Sequence, residues 1–319
     1  MQLSEATALA RRICDNVELA LHGKTESIER AVETLLAGGH LLLEDVPGVG
    51  KTTLANALSR SIDGAFQRIQ FTSDLLPSDI LGASMPDFQN GQPTGGFRFQ
   101  PGPIFASVVL ADEINRANPK TQSALLEAMS EGSVTIDGVT HALPDTFFVI
   151  ATQNPSDQYG THPLPESQLD RFMTRIQIGY PDLSSELAVL RDDPFRTQLP
   201  GLEAVANLDD LRDMQECVQK VKINDSILNY LLTIVEHTRQ HPTISLGVST
   251  RGALALRHAA QAHALMDGRD YCVPDDVRDI ASDVFAHRII TNNGGGLTRG
   301  PEEAMWVLRE ILDQVPIPL

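Results

Sequence analysis

Apolar residues recur along this chain with two spacings, and the balance between them changes near Tyr180. Before that point, short apolar runs of strand type stand between stretches of helical spacing, and after it helical spacing prevails. Short apolar strands separated by helices predict a parallel sheet that is covered on both faces. We therefore expect an α/β core over residues 1–181, followed by an all-helical domain over residues 182–319.

The pattern also predicts the individual elements. The strands of the core are expected at 41–43, 66–71, 107–113 and 146–154, with hairpins at 84–103 and 133–143. Asn90-Gly91 is the turn signal of the first hairpin. Helices are expected within 4–38 and at 53–60, 75–82 and 119–131 in the core, and at 184–191, 208–221, 225–239, 250–266, 274–290 and 301–314 in the second domain.

The stretch from Leu41 to Leu54 carries the clearest chemistry. Three leucines predict a buried strand, a Gly/Pro turn follows, and Lys51-Thr52 opens a helix. This order is that of a phosphate-binding loop, in which glycines let the backbone approach an anion and the helix adds its positive end. The first glycine of the usual pattern is replaced by Asp45, whose carboxylate must point away from phosphate. The alternative is a glycine-rich turn with a surface lysine.

Two later strands end in polar residues. Asp112 and Glu113 close one strand, and Thr152-Gln153-Asn154 closes the next. Because ligands bind at the carboxyl ends of parallel strands, these side chains are expected beside Lys51. There Asp112 could hold Mg²⁺ through water and Glu113 could act as general base towards an attacking water. The alternative is a set of solvated polar groups at strand ends.

Charge and cysteine content narrow the partners and the compartment. The 319 residues carry 25 basic and 42 acidic side chains, a net charge of −17, spread over both halves of the chain. No basic stripe supplies the cations that duplex nucleic acid requires, so nucleic acid is not expected as the principal partner. Three isolated cysteines suit a reducing compartment. With no long apolar run or signal-like start, we expect a cytoplasmic protein without a membrane span.

Four segments in order resemble the MoxR family of AAA+ ATPases, a helix-2-insert clade related to magnesium chelatase subunit I. They are 44–52 (EDVPGVGKT), 112–117 (DEINRA), 151–155 (ATQNP) and 164–172 (LPESQLDRF). The resemblance implies a P-loop AAA+ core followed by a helical lid. It also implies ATP hydrolysis with Mg²⁺ at the subunit interfaces of a ring, usually a hexamer, that acts as a chaperone.

The resemblance also assigns residues to roles. Glu113, Asn154, Arg171 and Arg251 are expected to be catalytic: the base, sensor 1, the arginine finger and sensor 2. Thr52 and Asp112 are expected at the metal. The residues expected to bind nucleotide are Asp45, Val46, Pro47, Gly48, Val49, Gly50, Lys51, Thr52 and Thr53, with His22 and Gly23 contacting adenine through their backbone.

The implied partners are other copies of the chain, a protein with a von Willebrand factor A domain, and a client complex that the ring remodels, assembles or activates. The two hairpins are expected to face the pore or the partner. Two other functions stay open. One is a nucleotide-dependent switch or scaffold with incidental turnover, and the other is a DNA-acting AAA+ motor, which the acidic charge disfavours.

Overall fold

A computed structural model of the protein describes residues 1–89, 92–154, 160–292 and 301–318. The strands are β1 (Leu41–Glu44), β2 (Phe66–Gln70), β3 (Gly82–Gln89), β4 (Gln92–Pro101), β5 (Val108–Asp112), β6 (Ser133–Ile136), β7 (Val139–Ala142), β8 (Phe148–Gln153), β9 (Thr174–Ile176), β10 (Ile244–Leu246) and β11 (Ile290–Thr291). The core helices are α1 (Leu3–Glu18), α2 (Thr25–Leu36), α3 (Lys51–Ser61), α4 (Pro77–Leu81), α5 (Pro119–Glu131) and α6 (Glu166–Leu169). Helices that follow β9 are α7 (Leu183–Asp192), α8 (Pro194–Thr197), α9 (Leu208–Lys220), α10 (Asp225–Gln240), α11 (Thr250–Met266), α12 (Pro274–Phe285) and α13 (Pro301–Gln314).

Five parallel strands form the central sheet in the order β2-β5-β8-β1-β9. Alternate residues of each strand point to opposite faces. Leu41 and Leu43 of β1 accordingly lie in one apolar cluster, and Leu42 lies in the other. Both faces of the sheet are therefore buried, which confirms the predicted parallel α/β core and explains why its strands are continuously apolar.

One apolar cluster extends from the sheet into the lid. It contains residues of α1 and α2 together with residues of α9 to α13. Polar contacts follow the same path: Thr7 Oγ1 donates to the carbonyl of Leu265 at 2.7 Å, and Glu33 Oε1 lies 2.6 Å from His263 Nδ1. The first two helices therefore join the sheet to the lid.

The lid is helical as predicted, but it also contains an antiparallel pair, β10 with β11, that the sequence pattern did not indicate. The helix predicted over 274–290 ends at Phe285, and a 3-10 turn, Ala286–Arg288, follows it. In the core, β9 was not predicted either. Within the described ranges, every helix is too short or too polar to span a lipid bilayer.

Both hairpins are present. β3 pairs with β4, and β6 pairs with β7. Phe99 of β4 stacks on His141 of β7 with ring centroids 3.9 Å apart, so the two hairpins contact each other. Phe97 and Val139 beside this stack are exposed. The predicted Asn90-Gly91 turn lies outside the described residues.

Candidate functional site

The carboxyl ends of β1, β5 and β8 border a cleft of about 610 Å³. One wall is the loop after β1, and the other is the segment around α7 and α8. Ligand sites in open α/β sheets lie at this edge, and the volume is that of a small-molecule site. The sheet thus brings the predicted loop and the polar strand ends together.

The loop after β1 turns sharply because two glycines adopt left-handed backbone conformations. The φ angle is 87° at Gly48 and 101° at Gly50, a region that disfavours residues with a Cβ atom. A Cβ at Gly50 would also lie 2.5 Å from Leu21 Cδ1. Gly50 precedes α3, and residues 47–53 line the cleft. The positive end of α3 therefore faces the cleft, which favours an anion there.

Asp45 replaces a glycine of the usual loop, and the structure shows where its carboxylate goes. Oδ2 accepts hydrogen bonds from the backbone N–H groups of Ile178 at 2.8 Å and Gly179 at 2.6 Å, while Oδ1 accepts from Val46. Neither Asp45 nor Val46 is among the described residues that line the cleft. The Asp45 side chain is thus placed away from the expected nucleotide, as a link between the loop and the chain after β9.

Lys51 lines the cleft, and its ammonium group is held by the loop itself. Nζ donates to the backbone carbonyl of Asp45 at 2.7 Å. Burial lowers the pKa of Lys51, whereas the carboxylates of Asp45, Asp112 and Glu113 oppose that shift. A phosphate in the cleft would offer this partly desolvated ammonium a charged acceptor in place of a neutral one.

Thr152 of β8 connects the two carboxylate residues at the end of β5. Its hydroxyl donates to Asp112 Oδ1 at 2.7 Å and accepts from the backbone N–H of Glu113 at 2.8 Å. Thr152 is completely buried, so both bonds are shielded from water. One side chain therefore fixes the position of the Asp112 carboxylate and of the Glu113 backbone.

Glu113 occupies a strained position at the edge of the cleft. Its φ of 57° is left-handed, which costs free energy for a residue with a side chain and is typical of functional sites. The carboxylate accepts from Gln70 Nε2 at 2.8 Å and pairs with Arg116 at 3.3 Å. Asn154, which follows β8, is buried and also lines the cleft. The predicted base and sensor 1 are therefore brought to the same cleft as Lys51.

The residues at the predicted metal position suit Mg²⁺. Thr52 and Asp112 both line the cleft and offer a hydroxyl and a carboxylate oxygen, which are hard ligands of the kind Mg²⁺ prefers. Arg68 of β2 contacts Asp112 Oδ2 through Nε at 3.1 Å and Nη2 at 2.5 Å. A cationic group already binds this carboxylate, so the position is one that accepts positive charge.

The cleft also has apolar lining. Leu21 and His22 line it from the segment after α1, and Val189 and Phe195 line it from α7 and α8. Gly23 is not among the lining residues, but a Cβ there would lie 2.1 Å from Ser185 Oγ, and its φ is 68°. This turn therefore packs tightly against α7, with an apolar wall that suits the flat face of a base.

The two predicted arginines lie elsewhere. Neither Arg171 nor Arg251 is among the described residues lining the cleft. Arg171 Nη1 donates to the carbonyl of Leu126 at 2.5 Å and to Ser130 Oγ at 2.8 Å, both on α5. Arg251 is exposed in the first turn of α11. Neither arginine reaches the cleft of its own subunit in this conformation.

Three residues at the cleft were not predicted there: Arg68, Gln70 and Phe195. The first two alternate on β2, and the register pairs Gln70 with Asp112. That alternation was a usable signal, because side chains two apart share one face of a strand. Phe195 belongs to no motif whose spacing implies a contact, whereas Thr152 lies where the polar end of its strand predicted it.

Residues 40–174 match the model of the ATPase family associated with various cellular activities (AAA), and residues 236–311 match the AAA lid domain. The chain is 47% identical over 311 residues to the uncharacterized protein YeaC of Bacillus subtilis, covering 98% of this chain and 95% of that one. It is 38% identical over 298 residues to the chaperone MoxR1 of Mycobacterium tuberculosis, covering 90% of this chain and 77% of the relative.

A solved structure has the same fold. The crystal structure of a candidate ATPase from Cytophaga hutchinsonii superposes with a TM-score of 0.89 and 36% identity, covering 99% of this chain and 97% of that one. A magnesium-chelatase subunit of Arabidopsis thaliana is a more distant relative, 25% identical over 64% of this chain. The two family models cover the core and the lid, and with these relatives they show that the chain belongs to the MoxR family of AAA+ ATPases.

Proposed function

We propose that the protein hydrolyses ATP with Mg²⁺ at the subunit interfaces of a ring, usually six-membered in this family, and uses the energy to remodel protein partners. One observation supports the shared site above the others. The cleft collects Lys51, Glu113 and Asn154, whereas Arg171 and Arg251 lie outside it. If this cleft binds triphosphate, Arg171 and Arg251 are supplied most simply by a neighbouring subunit.

Within one subunit, the cleft residues have separate tasks. Lys51 and the backbone N–H groups of residues 47–53 bind the β- and γ-phosphates. Thr52 and Asp112 hold Mg²⁺, which neutralises charge on the phosphate oxygens when bound. Glu113 accepts a proton from the attacking water, and Asn154 orients that water. Gln70 and Thr152 keep the base in place from the neighbouring strands.

The neighbouring subunit supplies a further cation, the guanidinium group of Arg171. A guanidinium group near the transferring phosphoryl group stabilises its developing charge, and Arg171 fits this role if it leaves Leu126 and Ser130 of its own α5. Beside the cleft, α7 presents Leu183, Leu187 and Leu190 at spacings of one helix face, and all three are exposed. An exposed apolar stripe of this kind supports a protein contact at the mouth of the cleft.

The remodelling role rests on relatives and on one exposed surface. The relative from M. tuberculosis is named a chaperone. The hairpins β3–β4 and β6–β7 expose Phe97, Met85 and Val139 around the Phe99–His141 stack. We propose that this surface faces the ring pore or a client, and that a protein with a von Willebrand factor A domain assists.

A shared site predicts that turnover depends on assembly. Turnover per subunit should rise with protein concentration and level off when rings are complete, because dilution separates each cleft from its neighbour's Arg171. ATP hydrolysis and light scattering measured on the same dilution series would check this. Lys51→Ala serves as the blank for contaminating ATPase. Equal turnover in a dilute monomeric sample would contradict the shared site.

A second prediction concerns Thr152. Thr152→Val keeps the volume but removes the hydroxyl, which leaves Asp112 Oδ1 and the Glu113 N–H without this buried partner. Each such loss costs about 1–3 kcal/mol, and 1.4 kcal/mol is about tenfold in rate. We expect turnover to fall about tenfold or more with little change in ATP affinity. Thr152→Ser is the matched control that keeps both bonds, and equal turnover of the two variants would rule out the orienting role.

A further inference from the structure

A buried arginine of the lid, Arg288, forms hydrogen bonds with the core next to Arg171. Arg288 ends the 3-10 turn after α12, and its side chain is only 2% exposed. Nε donates to Asp170 Oδ1 at 2.7 Å. Burial lowers the pKa of Arg288, and the Asp170 carboxylate opposes that shift. A buried guanidinium requires such a partner, because an unpaired charge is costly inside a protein.

The other nitrogens of Arg288 bind the backbone around Arg171. Nη2 donates to the carbonyls of Phe172 at 2.6 Å and Asp170 at 3.2 Å, and Nη1 donates to the carbonyl of Met173 at 3.0 Å. These carbonyls belong to the residue before Arg171 and to the two residues after it. The guanidinium therefore fixes the backbone on both sides of the proposed finger.

Further lid residues support the same segment. His287 Nε2 lies 3.0 Å from the Phe172 carbonyl. Ser249 Oγ, which caps α11, donates to Asp170 Oδ2 at 3.1 Å. At Gly252 in the first turn of α11, a Cβ would lie 2.8 Å from Arg288 Cδ, so a glycine leaves room for the guanidinium stem. Two parts of the lid thus converge on residues 170–173.

We propose that Arg288 is a positioning residue for Arg171: it fixes the 170–173 backbone to the lid, so that the lid of one subunit sets the arginine that completes its neighbour's site. This inference rests on the proposed role of Arg171 in the neighbouring cleft. It adds a specific consequence, which is that a lid residue outside the cleft of its own subunit controls hydrolysis in the adjacent subunit and not in its own.

The geometry distinguishes positioning from simple charge pairing. A charge pair with Asp170 needs one contact, which a lysine could also make. Only a planar fork can bind a carboxylate together with backbone carbonyls on both sides of Arg171. Arg288→Lys therefore keeps the charge but releases the backbone, and a misplacement of about 1 Å at a reacting group can cost on the order of 100-fold in rate.

Mixed rings test the inference with full-length chains. Wild-type subunits are mixed with an excess of donor subunits that carry Lys51→Ala, so that only wild-type clefts hydrolyse ATP and donors supply Arg171. Four donors are compared: Lys51→Ala alone, and the same chain with Arg171→Ala, Arg288→Lys or Arg269→Lys. Arg269 is the matched control, because it pairs with the buried Asp276 inside the lid.

We expect donors with Arg288→Lys to lower turnover per wild-type subunit about tenfold to 100-fold, approaching donors with Arg171→Ala. Donors with Arg269→Lys should match donors with Lys51→Ala alone. The single variant Arg288→Lys should bind a fluorescent ATP analogue in its own cleft with unchanged affinity. If that chain fails to assemble, Asp170→Asn, which weakens the same contact, replaces it in the series.

Two results would overturn the inference, and they differ. If donors with Arg171→Ala lower turnover while donors with Arg288→Lys match the Arg269→Lys control, Arg288 does not position the finger and the proposed function survives. If donors with Arg171→Ala have no effect, the finger itself is misassigned and the inference falls with it.

Discussion

Replacing Glu113 with glutamine is expected to leave ATP binding intact and to reduce hydrolysis by about 10²- to 10⁴-fold, the range that general base catalysis contributes. Glutamine has the same shape and can still contact Gln70, but it cannot accept the proton of the attacking water. The phosphate-binding residues 47–53 are untouched. Affinity for a fluorescent nucleotide and single-turnover hydrolysis would measure the two effects separately.

The control for this substitution is Glu166→Gln, on the exposed α6 and outside the cleft. It removes a carboxylate from the same core without touching the site, so turnover should be unchanged. Full turnover of Glu113→Gln would show that another group is the base. The variant also separates a motor from a switch: rings that cannot hydrolyse ATP but still activate a client would favour the switch.

Replacing Arg171 with alanine is expected to lower turnover by about 10³- to 10⁵-fold, the contribution of arginine fingers to phosphoryl transfer. A second inactive variant is expected to restore the lost ATP hydrolysis. Mixing Arg171→Ala subunits with Lys51→Ala subunits, each inactive alone, should restore activity, because some interfaces then pair an intact cleft with an intact arginine. Turnover against mixing ratio is the measurement.

Arg212→Ala is the control, because this arginine forms exposed ion pairs with Asp145 and Asp209. Its turnover should stay at the wild-type level, because the variant keeps both the cleft and Arg171. Failure of the Arg171→Ala and Lys51→Ala mixture to recover activity, with rings formed, would place the arginine's action within its own subunit or remove it from catalysis. The contacts of Arg171 with Leu126 and Ser130 would then be its role.

Local signals predicted much of the fold. The bounds of α5 and α11 agree with the predicted 119–131 and 250–266, because Asn118 and Ser249 cap their first turns through side-chain hydrogen bonds. The loop before α3 was predictable because its glycines and the following Lys51 are adjacent in sequence. In each case the residues that determine the structure are neighbours in the chain.

Long-range contacts determined what was missed. The strand β9 is three residues long and exists through pairing with β1, more than 130 positions earlier. The helical pattern after Pro274 continued to 290 in the sequence, but the helix ends at Phe285, and His287 and Arg288 then bind the core. Phe195 reaches the cleft from α8, a proximity that no spacing in the sequence encodes.

The apolar cluster shared by α1, α2, the sheet and the lid affects how this protein can be dissected. The family models match the chain in two separate pieces, which suggests modules that could be expressed alone. Yet α1 and α2 pack in one apolar cluster with the sheet and with the helices of the lid. Cutting the chain near Tyr180 would expose on each fragment an apolar surface that is buried in the full-length protein. The two matched regions are therefore separate in sequence but not independent in structure.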